Sequence, residues 1–124
     1  MDKATLDKIL DNHKLWLSSG GEKGERANLC GANLRGANLC GANLYGADLY
    51  GADLDFSAFP LWCGGLGVHI DDKQAIQLLY HLVRNVKFSK NTSAEMKKLC
   101  KLKSIVKKAN DFHRADECGV IENA

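Results

Sequence analysis

A repeat of five residues runs through residues 27–56 and restricts the folds that this chain can adopt. The segment reads ANLCG, ANLRG, ANLCG, ANLYG, ADLYG and ADLDF, so alanine and leucine each recur at every fifth position. A period of five is neither the 3.6-residue period of an α-helix nor the two-residue period of a β-strand. Every fifth side chain faces the same way only if the chain turns a corner every five residues. We therefore expect a solenoid whose alanine and leucine side chains point to one common axis.

The glycine and Asn/Asp positions of the repeat favour turns at the corners of the expected solenoid. Glycine ends five of the units, where it relieves steric crowding. Asn or Asp precedes every leucine, where its side chain can bond the nearby backbone. A seventh, degenerate unit follows at residues 57–61.

This pattern resembles the pentapeptide-repeat family, whose motif is A(D/N)LXX, and the match has no exception at alanine or leucine. The resemblance implies a right-handed quadrilateral β-helix with four units per coil, so seven units make just under two coils. Four units per coil predict vertical neighbours twenty residues apart, such as Cys30 under Tyr50 and Arg35 under Asp55. Stacked strands lie about 4.8 Å apart, which makes the repeat core roughly 10 Å tall. Because two coils are few for a solenoid, we expect flanking helices or a second copy of the chain to cover the open ends.

Helices are predicted on both sides of the repeat. Residues 3–18 carry a wide apolar face and predict a helix that caps the first coil. Beyond a glycine-rich connection, residues 71–87 and 92–110 predict two antiparallel helices, and the last fourteen residues are expected to dock through Phe112 and Val120. The fold class is therefore mainly β-solenoid with added α-helices. The predicted parts are a capping helix (1–21), a β-helix (22–61) and a C-terminal helical region containing a helical hairpin (62–124).

The layout also resembles small phage and prophage pentapeptide-repeat proteins. These carry a GGERA lead-in, a PLWCG exit and a closing FHRA(D/E)ECG, which correspond to residues 20–27, 60–64 and 112–119. The lead-in departs from the pattern by a Lys-Gly insertion. The resemblance implies a non-enzymatic inhibitor that acts on a host machine.

The net charge of +2 conceals an uneven distribution. Residues 1–72 carry a net charge of −4, residues 73–110 carry +9, and residues 111–124 carry −3. An acidic front and a basic back are both potential electrostatic surfaces.

The acidic repeat surface is the first candidate site. Some pentapeptide-repeat proteins imitate duplex DNA, with DNA gyrase as the familiar target, and others inhibit type I CRISPR systems. Duplex DNA carries a charge about every 1.7 Å, so a core this short suits a narrow PAM-reading cleft better than gyrase. The resemblance thus favours a CRISPR surveillance complex as partner. The predicted acidic face consists of Glu22, Glu25, Asp48, Asp53 and Asp55. Tyr45 and Tyr50, exposed on adjacent sides, are candidate anchors for this partner or for a general protein-binding scaffold.

The basic helices are the alternative site. A lysine-rich helical surface can bind nucleic acid phosphates without reading bases. The run contains few arginines and no aromatic residue between 89 and 111, which also fits a solvated helix face. The candidate nucleic-acid contacts are Lys97, Lys98, Lys101, Lys107 and Lys108.

Catalysis, cofactors and membrane insertion are not expected. The four histidines lie on separate predicted elements, and no nucleophile elbow, HExxH or P-loop motif occurs. No metal site is predicted, although the pairs Cys63/His69 and His113/Cys118 leave open a zinc site if the two segments converge. No apolar run is long enough to span a bilayer, and the first residues carry no secretion signal, so we expect a protein of the bacterial cytoplasm.

Overall fold

The computed structural model describes residues 1–122 and divides the chain into two compact units. The first, Met1–Asp71, is called the repeat unit, and the second, which begins at Asp72, is called the helical unit. No helix among residues 1–122 is both long enough and apolar enough to cross a membrane.

The repeat folds into stacked coils. Parallel bridges pair Asn28 with Asp48, Asn33 with Asp53, and Asn38 with Ala58, each across twenty residues. The N–H of Leu29 donates to the carbonyl of Asp48 at 2.8 Å, and the same bond recurs in the next units. The predicted stacking of every unit on the fourth unit after it is therefore confirmed.

The core of the repeat unit is a ladder of leucines. The central leucines of the first five repeats are almost completely buried, and the alanines pack beside them. In the degenerate unit, Phe59 takes the leucine position and packs against this core, while Leu61 is 93% exposed. The five-residue period therefore decides which apolar side chains enter the core.

The corners of the coil are hydrogen-bonded turns. At the first corner, the N–H of Ala32 donates to the carbonyl of Leu29 at 3.1 Å, and Gly31 has a φ of 67°. A positive φ at this position is the signature of a type II turn. Phe56 stands at the corresponding place in its unit with a φ of 61°, a conformation that costs an L side chain about 1–2 kcal/mol.

The Asn and Asp residues stabilise these corners, as predicted. Each side-chain oxygen accepts a hydrogen bond from the backbone N–H two residues later, for example from Tyr45 to Asn43 at 3.1 Å. In both Asp48 and Asp53, one of the two carboxylate oxygens therefore accepts a backbone hydrogen bond.

The coil continues beyond the recognisable repeats. The N–H of Leu44 donates to the carbonyl of Gly64 at 2.7 Å, within a segment that includes a 3₁₀ turn at Cys63–Gly65. His69 pairs with Asp48 in a further parallel bridge, and Val68 packs against the leucine ladder. Residues 62–71, assigned to the helical region in the sequence analysis, thus lie in the repeat unit.

Helix α1, Lys3–Ser18, packs on the first coil. The carboxylate of Asp2 caps its start by accepting from the N–H of Thr5 at 2.7 Å. Leu6 is buried in the repeat core, and Ile9 and Leu10 are half-buried against it. This arrangement agrees with the capping role predicted for residues 3–18.

His13 joins α1 to the coil through both ring nitrogens. Its Nδ1 accepts from the N–H of Ala27 at 3.0 Å, and its Nε2 lies 2.9 Å from the carbonyl oxygen of Tyr45. Because Ala27 can only donate and the carbonyl can only accept, the ring is neutral with its proton on Nε2. Burial lowers the pKa of His13, and the nearby Arg26 lowers it further, against the opposing effect of the Tyr45 hydrogen bond.

Between Asp72 and residue 122, the helical unit contains one long helix and three short ones. These are α2 (Asp72–Phe88), α3 (Ala94–Leu99), α4 (Lys103–Ala109) and α5 (Ala115–Cys118). The sequence analysis predicted a single helix over residues 92–110, and this prediction is wrong because the chain breaks at residues 100–102.

The break allows two side chains to enter the same core. Cys100 and Val106 are six residues apart, so on a continuous helix they would face directions roughly 120° apart. Both are buried in the cluster that contains Val83 of α2. Leu102 takes an extended conformation at the break, and its side chain is exposed.

The C-terminal segment is held on α2 and α4. Phe112 is buried as predicted, but the second anchor is Ile121, since Val120 is exposed. The Asn110 side chain both donates to and accepts from the backbone of Ile121, at 2.9 and 2.8 Å. The sequence pattern does not reveal these two hydrogen bonds, so the predicted second anchor was Val120, one residue before Ile121.

Candidate functional site

Arginines accompany all three aspartates of the acidic face. Arg26 lies 3.7 Å from the carboxylate of Asp48, and Arg35 lies 3.6 Å from Asp53 and 3.4 Å from Asp55. The two guanidinium groups form two separate clusters with these carboxylates, one around Asp48 and one around Asp53 and Asp55. These five side chains carry a net charge of −1, and Glu22 and Glu25 bring the predicted acidic face with its two arginines to −3, a weaker negative potential than five unpaired carboxylates would give.

Asp48 is further stabilised as a carboxylate by hydrogen bonds. The thiol of Cys30 donates to it and lowers the pKa of Asp48, and the N–H of Tyr50 and the charge of Arg26 act in the same direction. The same hydrogen bond raises the pKa of the Cys30 thiol. Asp48 is therefore part of a local network of the coil.

Asp55 does not fit a contact role, and its assignment to an exposed acidic face is corrected. Only 6% of its surface is exposed. The side chain lies directly above Arg35, as the twenty-residue spacing predicts, and that stacking covers it. Glu22 and Glu25 differ, since both are exposed on the loop between α1 and the first repeat.

Tyr45 and Tyr50 are both exposed on the repeat unit. The Tyr50 ring is 6.2 Å from the ring of His69, whose Nδ1 lies 3.1 Å from Arg26. The Tyr45 ring lies against Gly67, where an added Cβ would be 3.1 Å away. Each ring thus rests on its coil with part of its surface open to solvent.

The predicted lysines gather on α3, α4 and the break between them. They are called the lysine surface: Lys97, Lys98, Lys101, Lys107 and Lys108. Four of the five are exposed, and Lys97 is half-buried with its ammonium donating to the carbonyl of Ser89. Within residues 1–122, the salt bridges of this set are those of Lys108 with Asp72 and Asp111, both at 3.8 Å.

A cavity in the helical unit adjoins this surface. It has a volume of about 250 Å³, an apolar wall that includes Val86, Val106 and Ile121, and Lys87 and Lys101 among its lining residues. A second cavity of about 280 Å³ shares Lys87 and Ile121 with the first and is also lined by Phe88. Phe88 is 72% exposed at the end of α2, with the guanidinium of Arg84 5.3 Å from its ring centre.

The repeat segment matches a known family. A model described as "Pentapeptide repeats (8 copies)" matches residues 25–55. Residues 25–55 are pentapeptide repeats. No curated protein and no solved structure gave a significant match to the chain. The family match therefore covers residues 25–55 of the coil, and the rest of the coil and the helical unit lie outside it.

The sequence-predicted cysteine and histidine pairs lie in different units. Cys63 and His69 belong to the repeat unit, and His113 and Cys118 belong to the helical unit. Among residues 1–122, no group of three or more His, Cys, Asp or Glu side chains is placed to hold a metal ion. All five cysteines are free thiols.

Sequence reasoning missed the cavity and Phe88. The cavity depends on the break between α3 and α4. Residues 100–102 contain no glycine or proline that would indicate a helix break. Phe88 lies just beyond the helix predicted over residues 71–87, and the signal that could have identified it is an aromatic residue between Lys87 and Lys90 at the end of a helix.

Proposed function

We propose that this chain is a non-enzymatic binding protein and that its lysine surface contacts the phosphates of a nucleic acid. The observation that carries the proposal is the contrast in ion pairing between the two candidate sites. Arg26 and Arg35 pair with the aspartates of the pentapeptide repeats, while Lys98, Lys101 and Lys107 are exposed and make no salt bridge within residues 1–122. Exposed, unneutralised lysines release counterions from DNA when they bind it.

Charge distribution supports the same choice. Residues 1–71 contain nine acidic and six basic side chains, and residues 72–124 contain six acidic and eleven basic ones. A polyanion is therefore attracted to the helical unit and repelled by the repeat unit. Binding of this kind needs no base contact, so we expect little sequence preference.

A gel shift with labelled duplex DNA at low salt tests the proposal. The variant Lys98→Glu/Lys101→Glu/Lys107→Glu reverses three exposed charges of the lysine surface. Its matched control, Lys8→Glu/Lys14→Glu/Lys23→Glu, reverses three exposed lysines of the repeat unit with the same change in net charge. We expect the natural protein and the control to shift DNA and the first variant to lose the shift. Equal binding by both variants, or no shift by the natural protein, would contradict the proposal.

Inhibition by DNA mimicry is the second candidate function. It is favoured by the exposure of Glu22, Glu25, Tyr45 and Tyr50 on the repeat unit, because acidic and tyrosine side chains together suit a basic protein cleft. The partner implied by the phage-type resemblance is a type I CRISPR surveillance complex, with DNA gyrase less favoured. A second copy of the chain would lengthen the surface.

The same gel separates the two candidates. Four lanes hold DNA alone, DNA with this protein, DNA with a type I surveillance complex, and all three together. Mimicry predicts that free DNA stays unshifted and that the shift caused by the complex disappears. Glu22→Lys/Glu25→Lys/Asp53→Lys should then restore that shift. A salt-sensitive shift of DNA by the protein itself favours the lysine surface.

A further inference from the structure

The two cavities of the helical unit adjoin each other and together are called the candidate groove. They share Lys87, Ile121 and Glu122, and Lys101 lines the end nearer to α4. The wall between the lysines is apolar, built by valines of α2 and α4 together with Ile121. This combination offers an apolar seat flanked by lysines, with Glu122 as the acidic residue of the shared lining.

The size of the deeper cavity suits a small group. Pockets for drug-sized ligands measure about 300–1,000 Å³, so a cavity of about 250 Å³ accepts one compact, flat group more readily than a large ligand. A nucleobase is such a group, and its faces are apolar while its sugar and phosphate remain outside. Lys87 and Lys101 are placed at the lining where those phosphates would pass.

An exposed aromatic ring lies at the other end of the groove. Phe88 lines the second cavity and is largely open to solvent, with Arg84 packed against its ring. Arg84 also donates to the carbonyls of Cys118 and Gly119 at 3.1 and 2.9 Å, so its position is set by the C-terminal segment. A ring held in this way is a stacking platform for a base.

We infer that the groove binds single-stranded nucleic acid, with one base in the cavity beside Cys100 and a neighbouring base stacked on Phe88. The inference rests on the proposed function and specifies its substrate class. Bases of a duplex are stacked on each other and cannot enter the cavity or reach the ring. A single carboxylate amphiphile would need only one cation, whereas the groove has lysines at separate positions along its length.

Fluorescence anisotropy with labelled oligonucleotides of about 12 nucleotides tests the inference, since sites for single strands span about 4–16 nucleotides. The probes are a single-stranded oligonucleotide and a duplex of the same length. The variant is Phe88→Ala, and its matched control is Tyr45→Ala, which removes an exposed ring from the repeat unit. We expect Phe88→Ala to weaken single-strand binding about tenfold without changing duplex binding, and Tyr45→Ala to change neither.

Thiol alkylation provides a second readout. Cys100 lines the cavity, while Cys30 and Cys40 are exposed on the repeat unit and serve as internal controls. The single strand should slow labelling of Cys100, measured by mass spectrometry, and leave Cys30 and Cys40 unchanged. Decanoate, tested in parallel, should not protect Cys100.

The outcomes separate the inference from the proposed function. Equal affinity for both probes with no effect of Phe88→Ala overturns the single-strand inference and leaves phosphate binding by the lysine surface intact. Protection of Cys100 by decanoate alone also overturns it and identifies a site for small amphiphiles. If neither DNA probe binds at low salt, both the inference and the proposed function fail.

Discussion

The repeat unit and the helical unit build their cores in different ways. In the repeat unit, the same backbone pairing recurs across twenty residues from one unit to the next, and the leucines of successive units fill one shared core. In the helical unit, Tyr80, Cys100, Phe112 and Ile121 each make a contact that occurs only once. A periodic core tolerates a degenerate unit such as residues 57–61, whereas a core of unique contacts depends on each partner.

Their surfaces differ in the same sense. Arg26 and Arg35 of the repeat unit form salt bridges with nearby aspartates, so these opposite charges pair with each other within the coil. In the helical unit, Lys98, Lys101 and Lys107 extend into solvent. Ion pairing in the repeat unit therefore reduces the negative charge that its aspartates present to a partner, whereas the exposed lysines of the helical unit keep their charge available.

The largest expected effect is on the leucine ladder. Leu44→Ala removes a side chain with 0% exposure and should lower the free energy of unfolding by about 2–5 kcal/mol. Leu61→Ala, the matched control, should change it by less than about 0.5 kcal/mol because Leu61 is exposed. Tryptophan fluorescence during urea unfolding reports the repeat unit, which contains both tryptophans. Equal effects would show that the ladder is not the core.

Corner geometry should produce the next largest effect. Gly31 and Gly41 both have room for a Cβ, but Gly31 has a positive φ and Gly41 does not. We expect Gly31→Ala to destabilise the repeat unit by about 1–2 kcal/mol and Gly41→Ala to be close to neutral. The same fluorescence measurement compares them, and similar values for the two variants would disprove the assigned turn types.

A smaller effect tests the helical unit. The Tyr80 hydroxyl donates to the carbonyl of Gly119 and accepts from Arg84 at 3.0 Å. Tyr80→Phe should cost about 1 kcal/mol, measured by far-UV circular dichroism in urea. Tyr45→Phe is the control, since its ring is exposed on the repeat unit, and it should lie within about 0.5 kcal/mol of the natural protein. A neutral Tyr80→Phe would mean that the hydroxyl does not anchor the C-terminal segment.

The smallest expected effect is a pH dependence of the free energy of unfolding that arises from His13. Its pKa in the folded chain is lowered from the ordinary value of 6.5, so below that pH the unfolded chain binds a proton that the folded chain does not. Stability should therefore fall as the pH drops from 6.5 towards the lowered value. The lowered pKa values of Asp2 and Asp48 act only below 3.8, outside this window.

Fluorescence-detected unfolding between about pH 5 and pH 7 measures this dependence. Trp16 stacks on His13 with ring centres 5.7 Å apart, which places the probe beside the titrating group. His13→Gln should be less stable at neutral pH and should lose the pH dependence. An equally steep dependence in His13→Gln would assign it to another group.

The sequence predicted the repeat unit well because the period of the repeat directly determines which residues contact each other there. Once alanine and leucine recur every fifth residue, the partner of Asn28 or Arg35 follows by counting twenty positions. Counting fails at His69, which pairs with Asp48 across twenty-one residues in a segment without the repeat motif. It also gives position without exposure, which is why Asp55 was misjudged.

The helical unit was less predictable because its contacts are unique. The apolar stripe through Leu99 and Leu102 fits a continuous helix, yet both leucines are exposed and Cys100 is buried. Only the packing of Cys100 and Val106 in one core selects the break. The cavity beside Cys100 follows from that break, so no local pattern predicts it.

The salt dependence of duplex DNA binding tests the central claim most directly. The logarithm of the affinity falls with the logarithm of the salt concentration, with a slope of about −0.9 for each neutralised phosphate. Lys98→Gln/Lys101→Gln/Lys107→Gln should make this slope shallower by about 2–3, and Lys8→Gln/Lys14→Gln/Lys23→Gln should leave it unchanged. A slope that is the same in the first variant as in the natural protein, or that changes equally in both variants, would show that the lysine surface does not contact the phosphates.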